Sequence, residues 1–168
     1  MAEALDAAIP ETVDVLARRV LQQACDRGVT LVTAESCTGG LLASLLTDIP
    51  GCSHAFERGF ITYTDDAKRE MLGVPQALLD SPGPVSVEVA RAMAEGALRH
   101  SRGDIALAVT GYADDAPGAP GRTGLVHLAV ARRGGTLRCL KQQFGPIGRG
   151  HVRIRTLEAA LKLISTAL

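Results

Sequence analysis

The stretch that decides the fold is "VTAESCTGGLLASLL", residues 32–46. It opens as a short β-branched strand, predicted over residues 30–34, and continues as a helix whose four leucines recur at helical spacing. A serine, a threonine and two glycines lie between them. In open α/β sheets, ligands bind outside the carboxyl ends of strands, where helices begin. The turn at residues 36–40 is therefore both a fold signal and a candidate site.

The rest of the chain repeats the alternation of strand and helix. "GFITY" (residues 59–63) predicts a second strand, and the helix after it begins near Asp65 or Asp66 and closes at Gly73. The other predicted elements are a helix over 11–26 stopped by Gly28, a helix over 87–102 capped by Ser86, a buried strand over 104–110, a hairpin around Gly134 and Gly135, and a helix over 151–168.

These elements predict a three-layer α/β/α sandwich with a mixed, mostly parallel sheet and one antiparallel hairpin. The 168 residues suit one domain, which we expect to span 1–168 with the first helix, at about 11–27, on its periphery. The exposed edge of the hairpin favours a homo-oligomer, most simply a dimer.

Composition argues against several classes of partner. The 18 basic and 18 acidic side chains cancel, and with no Trp, three Phe and two Tyr the chain offers neither a basic patch nor stacking surfaces for nucleic acid. The four cysteines form no CxxC pair and the four histidines are scattered, so we expect no metal and no disulfide framework. Without a leader-like N-terminus or a long apolar run, we expect a cytoplasmic protein that does not bind membranes.

The turn at residues 36–40 supports two interpretations. The backbone N–H groups of Cys37, Thr38, Gly39 and Gly40 can hold an anion, either a phosphate or the oxyanion of an acyl-transfer intermediate. The alternative is structural: Ser36 or Thr38 caps the helix, and the glycines permit close packing.

A catalytic serine needs a base, and Lys68 is the better candidate because no histidine lies in a motif-like setting. Lys68 falls at the start of the second strand-turn-helix unit, in "YTDDAKRE", so it can emerge at the same sheet edge as Ser36. Burial and the helix dipole would favour its neutral amine, whereas the neighbouring carboxylates would hold the proton. The alternative is a solvated surface lysine.

Residues 33–74, "TAESCTGGLLASLLTDIPGCSHAFERGFITYTDDAKREMLGV", resemble the CinA C-terminal domain family, which includes stand-alone nicotinamide mononucleotide deamidases. The likeness continues through "PVSVEVARAMAEGAL", "DIALAVTG" and "RTLEAALKLI", and thus spans almost the whole chain.

The resemblance implies hydrolysis of nicotinamide mononucleotide to nicotinic acid mononucleotide and ammonia, without a metal or organic cofactor. It implies that Ser36 is the nucleophile and Lys68 its base, and that Tyr63 is a proton relay or an orienting hydroxyl. The family motifs also place Thr110, Gly111 and Arg149 among the substrate-binding residues, together with the turn at 37–40.

The chain departs from the family pattern in two places. After Thr110 and Gly111 the family reads close to IAGPGGG, whereas here "YADDAPGAPGRTG" brings in Asp114 and Asp115, which would repel a phosphate if they faced the site. The family's GDR is Ile-Gly-Arg here, so Arg149 is kept and the aspartate is missing.

Three hypotheses about function follow: the mononucleotide amidase, an amidase for another amide or pyridine derivative, and a non-catalytic binding module.

Overall fold

The computed structural model describes residues 9–168. Its elements in chain order are α1 (Glu11–Asp26), β1 (Leu31–Glu35), α2 (Leu41–Thr47), a 3-10 turn (Ser53–Ala55), β2 (Phe56–Ile61), α3 (Asp65–Leu72), α4 (Gln76–Asp80), α5 (Val87–Arg99), β3 (Ile105–Gly111), β4 (Leu125–Arg132), β5 (Leu137–Gln143) and α6 (Arg149–Ser165). None of the helices in this part of the chain has the length and apolar character needed to span a bilayer.

The strands form one sheet in the order β2-β1-β3-β4-β5. β1 pairs in parallel with both β2 and β3, and β4 is antiparallel to both β3 and β5. Strands β2, β1, β3 and β5 therefore point the same way, and β4 alone is reversed. The predicted mixed sheet and the hairpin at Gly134 are confirmed, and the β3–β4 ladder adds a second antiparallel pairing.

The two faces of the sheet carry side chains of different size. On β3, Ile105, Leu107 and Val109 pack with α1, α2 and α6, whereas Ala106 and Ala108 pack with α3, α4 and α5. The period of two along a strand separates the two sets. Helix layers cover both faces, which confirms the three-layer sandwich.

Helix α1 is an integral part of its layer rather than a peripheral addition. It packs against α6 and α2. Its buried side chains recur at helical spacing and are Val13, Ala17, Val20, Leu21 and Ala24. The helix ends before Gly28, whose φ of 63° is the left-handed conformation expected of a glycine stop.

Two element boundaries that bear on the site differ from the prediction. Helix α3 is capped by Thr64 rather than by Asp65 or Asp66, because the Thr64 hydroxyl accepts a hydrogen bond from the Ala67 N–H at 3.1 Å. Helix α6 begins at Arg149 rather than at residue 151, so that side chain projects from the first turn of a helix.

Candidate active site

A cavity of about 230 Å³ opens at the carboxyl ends of the parallel strands. Its walls come from the turn after β1, the segments that follow β2 and β3, the approach to α5, and the start of α6. The lining residues are Ser36, Cys37, Tyr63, Asp65, Lys68, Pro84, Val85, Thr110, Gly111, Tyr112, Ala113 and Arg149. The structure thus brings together most of the residues predicted for the site, but Thr38, Gly39 and Gly40 do not line the cavity.

Ser36 is fixed in the cavity wall by its backbone. Its N–H donates to the Val109 carbonyl of β3 at 3.0 Å, which extends the β1–β3 pairing by one residue. The side chain is only 7% exposed, and the cavity is the space that it borders.

Glu35, which the sequence analysis did not single out, holds the turn in shape. Its fully buried carboxylate accepts hydrogen bonds from the N–H groups of Gly40 and Leu42, each at 3.1 Å, and of Ala43 at 2.8 Å. These are the unpaired amides at the start of α2. Neither Ser36 nor Thr38 caps this helix, so the structural interpretation of those two residues is wrong. The only sequence signal was an acidic residue between the predicted strand and the two glycines of the turn.

The predicted anion site at residues 37–40 is smaller than expected. The Gly39 N–H donates to the Ser36 carbonyl at 3.0 Å, and the Gly40 N–H is taken by Glu35. Thr38 is turned into the protein, and its carbonyl accepts a hydrogen bond from Arg153 at 2.6 Å. Besides Ser36, Cys37 is the residue of this turn that reaches the cavity. Within residues 9–168 its N–H donates to no backbone carbonyl and interacts with its own thiol.

Lys68 is buried, with a side chain only 2% exposed, so the surface interpretation of this residue is wrong. Its Nζ lies 3.4 Å from the Tyr63 carbonyl oxygen, to which it donates, and 3.7 Å from Oδ1 of Asp65. Burial lowers the pKa of the Lys68 ammonium below its ordinary value, and the Asp65 carboxylate opposes part of that shift. The balance makes the neutral amine easier to reach than at a solvated lysine.

Cys37 lines the same cavity but is not suited to nucleophilic attack. Burial raises the pKa of its thiol to about 12, so the reactive thiolate is scarce at neutral pH. The serine hydroxyl beside it is the candidate nucleophile that remains.

Tyr63 and Arg149 form the rim of the cavity. The Tyr63 side chain is 60% exposed, and its hydroxyl accepts a hydrogen bond from Nη2 of Arg149 at 3.2 Å. Arg149 is the first residue of α6, where the free N–H groups of a long helix also favour an anion. Tyr63 therefore meets Lys68 through its backbone and Arg149 through its hydroxyl.

Thr110 and Gly111 close the back of the cavity at the end of β3. The Thr110 hydroxyl donates to the Pro84 carbonyl at 2.7 Å, which ties β3 to the segment before α5. A Cβ on Gly111 would lie 2.8 Å from the Leu125 carbonyl oxygen, so this position of the β3–β4 ladder requires glycine. Both residues line the cavity, and the Thr110 hydroxyl is already engaged by the Pro84 carbonyl.

The loop after β3 contributes Tyr112 and Ala113 to the cavity, whereas Asp114 and Asp115 are exposed outside it. Asp115 accepts a hydrogen bond from the Thr123 hydroxyl, and its own N–H donates to Asp114 at 2.9 Å. The two acids are engaged within the loop rather than directed at the site. Among residues 9–168, no group of three His, Cys, Asp or Glu side chains is arranged to hold a metal ion.

The fold and the site together define a mixed α/β protein in which Ser36 and the buried Lys68 line one cavity at the carboxyl edge of the sheet. The family model described as the CinA C-terminal domain matches residues 13–168, so the chain belongs to the CinA family.

Curated relatives and solved structures agree with this assignment. A CinA-like protein of Akkermansia muciniphila is 49% identical over 73% of this chain and 30% of its own length, and one of Anaeromyxobacter sp. is 40% identical over 97% and 40%. The chain thus spans less than half the length of these relatives. The solved structure of a competence/damage inducible protein from Agrobacterium tumefaciens is 43% identical, with a TM-score of 0.91 over 95% of this chain and 98% of that one. A CinA superfamily protein from Escherichia coli is 31% identical, with a TM-score of 0.87 over 96% and 95%.

Proposed function

We propose that this protein is an amidohydrolase that converts nicotinamide mononucleotide and water to nicotinic acid mononucleotide and ammonia. The observation that carries the proposal is that Ser36 and the buried Lys68 line one cavity, with the depressed pKa of Lys68 suiting it to act as a base. The resemblance of the surrounding motifs to a family that includes such deamidases supports the choice of substrate.

The first half of the reaction forms an acyl-enzyme. The neutral Lys68 amine accepts the Ser36 hydroxyl proton as the oxygen attacks the carboxamide carbon. The developing oxyanion accepts a hydrogen bond from the Cys37 N–H, which donates to no backbone carbonyl, and the buried surroundings strengthen that hydrogen bond. When the tetrahedral intermediate collapses, Lys68 returns the proton to the leaving nitrogen and ammonia departs.

The second half repeats these roles with water. Lys68 takes a proton from a water molecule as the water attacks the acyl carbon, and the Ser36 oxygen leaves and recovers its proton. The product is the carboxylic acid. Each step needs Lys68 without its proton at the start, so the rate rises with pH through the pKa of Lys68.

The dimensions of the cavity support a substrate that is only partly enclosed. At about 230 Å³ it is smaller than the pockets that surround a whole drug-sized ligand, typically about 300–1,000 Å³. In this proposal the pyridine carboxamide occupies the cavity and the ribose phosphate lies at the rim. Arg149 and the start of α6 supply a guanidinium and helix amides for the phosphate there.

A second candidate is an amidase for a different amide. Tyr112 and Ala113 belong to the loop that departs from the family pattern, and both line the cavity. Their side chains would therefore contact the bound substrate and can alter which amide is accepted.

Ammonia release from nicotinamide mononucleotide by the purified protein tests the proposal. We expect Ser36→Ala and Lys68→Ala to lower the rate by about 10²–10⁴-fold. The matched controls are Ser44→Ala and Lys162→Ala, which change an exposed serine and an exposed lysine and should leave the rate unchanged. Circular dichroism confirms that each variant is folded.

Three results would contradict parts of the proposal. Full turnover by folded Ser36→Ala would exclude the serine mechanism. Release of ammonia from nicotinamide or its riboside, but not from the nucleotide, would support the second candidate. Calorimetric binding of the nucleotide with no ammonia release would indicate a binding module.

A further inference from the structure

The guanidinium of Arg153 reaches from α6 to the turn that carries Ser36. Its Nη2 donates to the Thr38 carbonyl at 2.6 Å, and a Cβ built on Gly39 would lie 3.5 Å from the same nitrogen. The Thr38 oxygen also accepts from the Leu41 N–H at 3.2 Å, as a carbonyl with two lone pairs can. The guanidinium is therefore packed against the peptide group that joins Thr38 to Gly39.

The positive charge of Arg153 is directed at this turn. Within residues 9–168 its side chain forms no ion pair, its Nε is buried without an acceptor, and the bond to Thr38 is the one hydrogen bond it makes. Arg155 of the same helix differs, because it pairs with Glu158. Burial raises the pKa of the Cys37 thiol to about 12, and the Arg153 cation opposes that shift. The field of this cation thus extends to the residue after Ser36.

Two peptide groups link the guanidinium of Arg153 to the Cys37 N–H. The Thr38 carbonyl and the Gly39 N–H belong to one peptide group, and that N–H donates to the Ser36 carbonyl at 3.0 Å. The Ser36 carbonyl and the Cys37 N–H belong to a second peptide group. Because both peptide bonds are trans, the carbonyl and the N–H of each group point in opposite directions. The hydrogen bonds therefore run in one direction, from the cation to the Cys37 N–H.

We propose that Arg153 is a positioning residue that orients and polarises the Cys37 N–H as the donor to the oxyanion. A carbonyl that accepts a hydrogen bond makes the N–H of its own peptide group a stronger donor, and successive bonds reinforce one another. Arg153 does not line the cavity, so it acts only through the turn. This inference rests on the proposed acyl transfer at Ser36.

The expected effect lies in kcat rather than in KM. The charge on the oxyanion is largest in the transition state, so a stronger donor favours that state over the bound substrate. Loss of a whole oxyanion donor lowers kcat about 10²–10³-fold, whereas loss of polarisation leaves the donor in place. We expect Arg153→Met, which removes the charge and keeps most of the side-chain length, to lower kcat about tenfold with KM changed by less than about twofold.

Three further variants separate the charge of Arg153 from its contact with the turn. Arg153→Lys keeps a cation and Arg153→Gln keeps a neutral NH₂ donor, so the lysine variant should retain the higher kcat. Arg155→Met is the matched control, since it removes an exposed arginine of the same helix and should leave both constants unchanged. Ammonia release from nicotinamide mononucleotide gives kcat and KM, and melting temperatures show that each variant is folded.

Binding of pyridine-3-boronic acid is a second measurement, which needs no turnover. A boronic acid adds the serine hydroxyl to boron and becomes a tetrahedral boronate, whose oxygen takes the place of the oxyanion. By calorimetry, we expect Arg153→Met to weaken this binding about as much as it lowers kcat, with Ser36→Ala abolishing it. Binding of nicotinamide, which carries no such charge, should change by less than about twofold.

Several results would overturn the inference. One is a folded Arg153→Met protein whose kcat and boronate affinity equal those of Arg155→Met, which would leave the proposed amidase intact. A second is an equal loss of nicotinamide and boronate affinity, which would assign Arg153 to the shape of the cavity. If Arg153→Met does not fold, equal kcat values of the folded lysine and glutamine variants would exclude the role of the charge.

Failure of the proposed function gives a different pattern. A wild-type protein that binds the boronate through Ser36 but releases no ammonia from the nucleotide would reject the substrate, and the boronate affinities would still decide the role of Arg153. A wild type with neither turnover nor boronate binding would reject the serine mechanism and this inference together.

Discussion

Replacement of Glu35 by glutamine tests whether this carboxylate holds the Ser36 turn. In the native protein its two oxygens accept three backbone N–H groups from the start of α2. Glutamine keeps one oxygen, which can still accept from Gly40 and Leu42, but it turns an NH₂ group toward the N–H of Ala43. One charge-assisted hydrogen bond is lost, two weaken to neutral ones, and a buried N–H is left unpaired.

The expected cost follows from these contacts. A hydrogen bond to a charged group contributes about 1.5–3 kcal/mol and an unpaired buried donor costs about 1–3 kcal/mol, while removing a buried charge returns part of this. We expect Glu35→Gln to lower the free energy of unfolding by about 2–4 kcal/mol. For a chain of this size, the melting temperature would fall by roughly 5–15 °C.

Urea unfolding and differential scanning calorimetry of wild type and Glu35→Gln measure the change. Glu70→Gln is the matched control, because Glu70 is exposed and has only a 3.7 Å contact with Arg69. A Glu35→Gln protein within about 0.5 kcal/mol of wild type would refute the reasoning. The same variant should also lose ammonia release, since the turn carries the candidate nucleophile.

Three further predictions concern the residues around the site. Lys68→Met should abolish ammonia release without loss of stability. The pKa of Lys68 in the folded protein lies below its unfolded value, so burying the ammonium costs stability at pH values below the folded pKa. This cost disappears as the pH rises past the unfolded pKa, and the free energy of unfolding of the wild type should therefore rise with pH between the two pKa values. Urea unfolding at several pH values should show no such rise in Lys68→Met. Gly40→Ala places a side chain at φ 92° with its Cβ 2.9 Å from Cδ1 of Ile61, and should cost about 1–3 kcal/mol by denaturant unfolding. Gly51→Ala, at φ 88° with open space around it, should show only the backbone part of that cost. Thr64→Ala removes the cap of α3 and should cost about 1 kcal/mol by the same measurement, and an unchanged midpoint would contradict the assigned cap.

Most of the fold could be predicted because the deciding signals are local. The strand and helix on either side of the Ser36 turn differ in hydrophobic period, and Gly134 marks the hairpin. Ser36 and Lys68 were found for a related reason. Ser36 directly follows β1 and Lys68 lies in α3, the helix after β2, and the parallel pairing of β1 with β2 puts the ends of both strands at one edge.

The features that the sequence did not reveal depend on contacts with residues far away in the sequence or with main-chain groups. Glu35 is bonded to main-chain amides, which leave no trace in residue identity. Cys25 and His54 form no spacing motif and meet only because α1 packs on the segment after α2. Thr64 caps α3 although two aspartates follow it, since the cap depends on which residue has the extended backbone, here φ −92° and ψ 163°.

The unequal faces of the sheet imply opposite sensitivities to mutation. Where Ala106 and Ala108 face α5, the helix lies close to the strands, and an added methyl group would push the layer outward. Where Leu107 and Val109 face α1 and α6, replacing either side chain by a smaller one would destabilise the protein, because it leaves a cavity. Accepted substitutions on this strand should therefore be limited by steric overlap on one face and by cavity formation on the other.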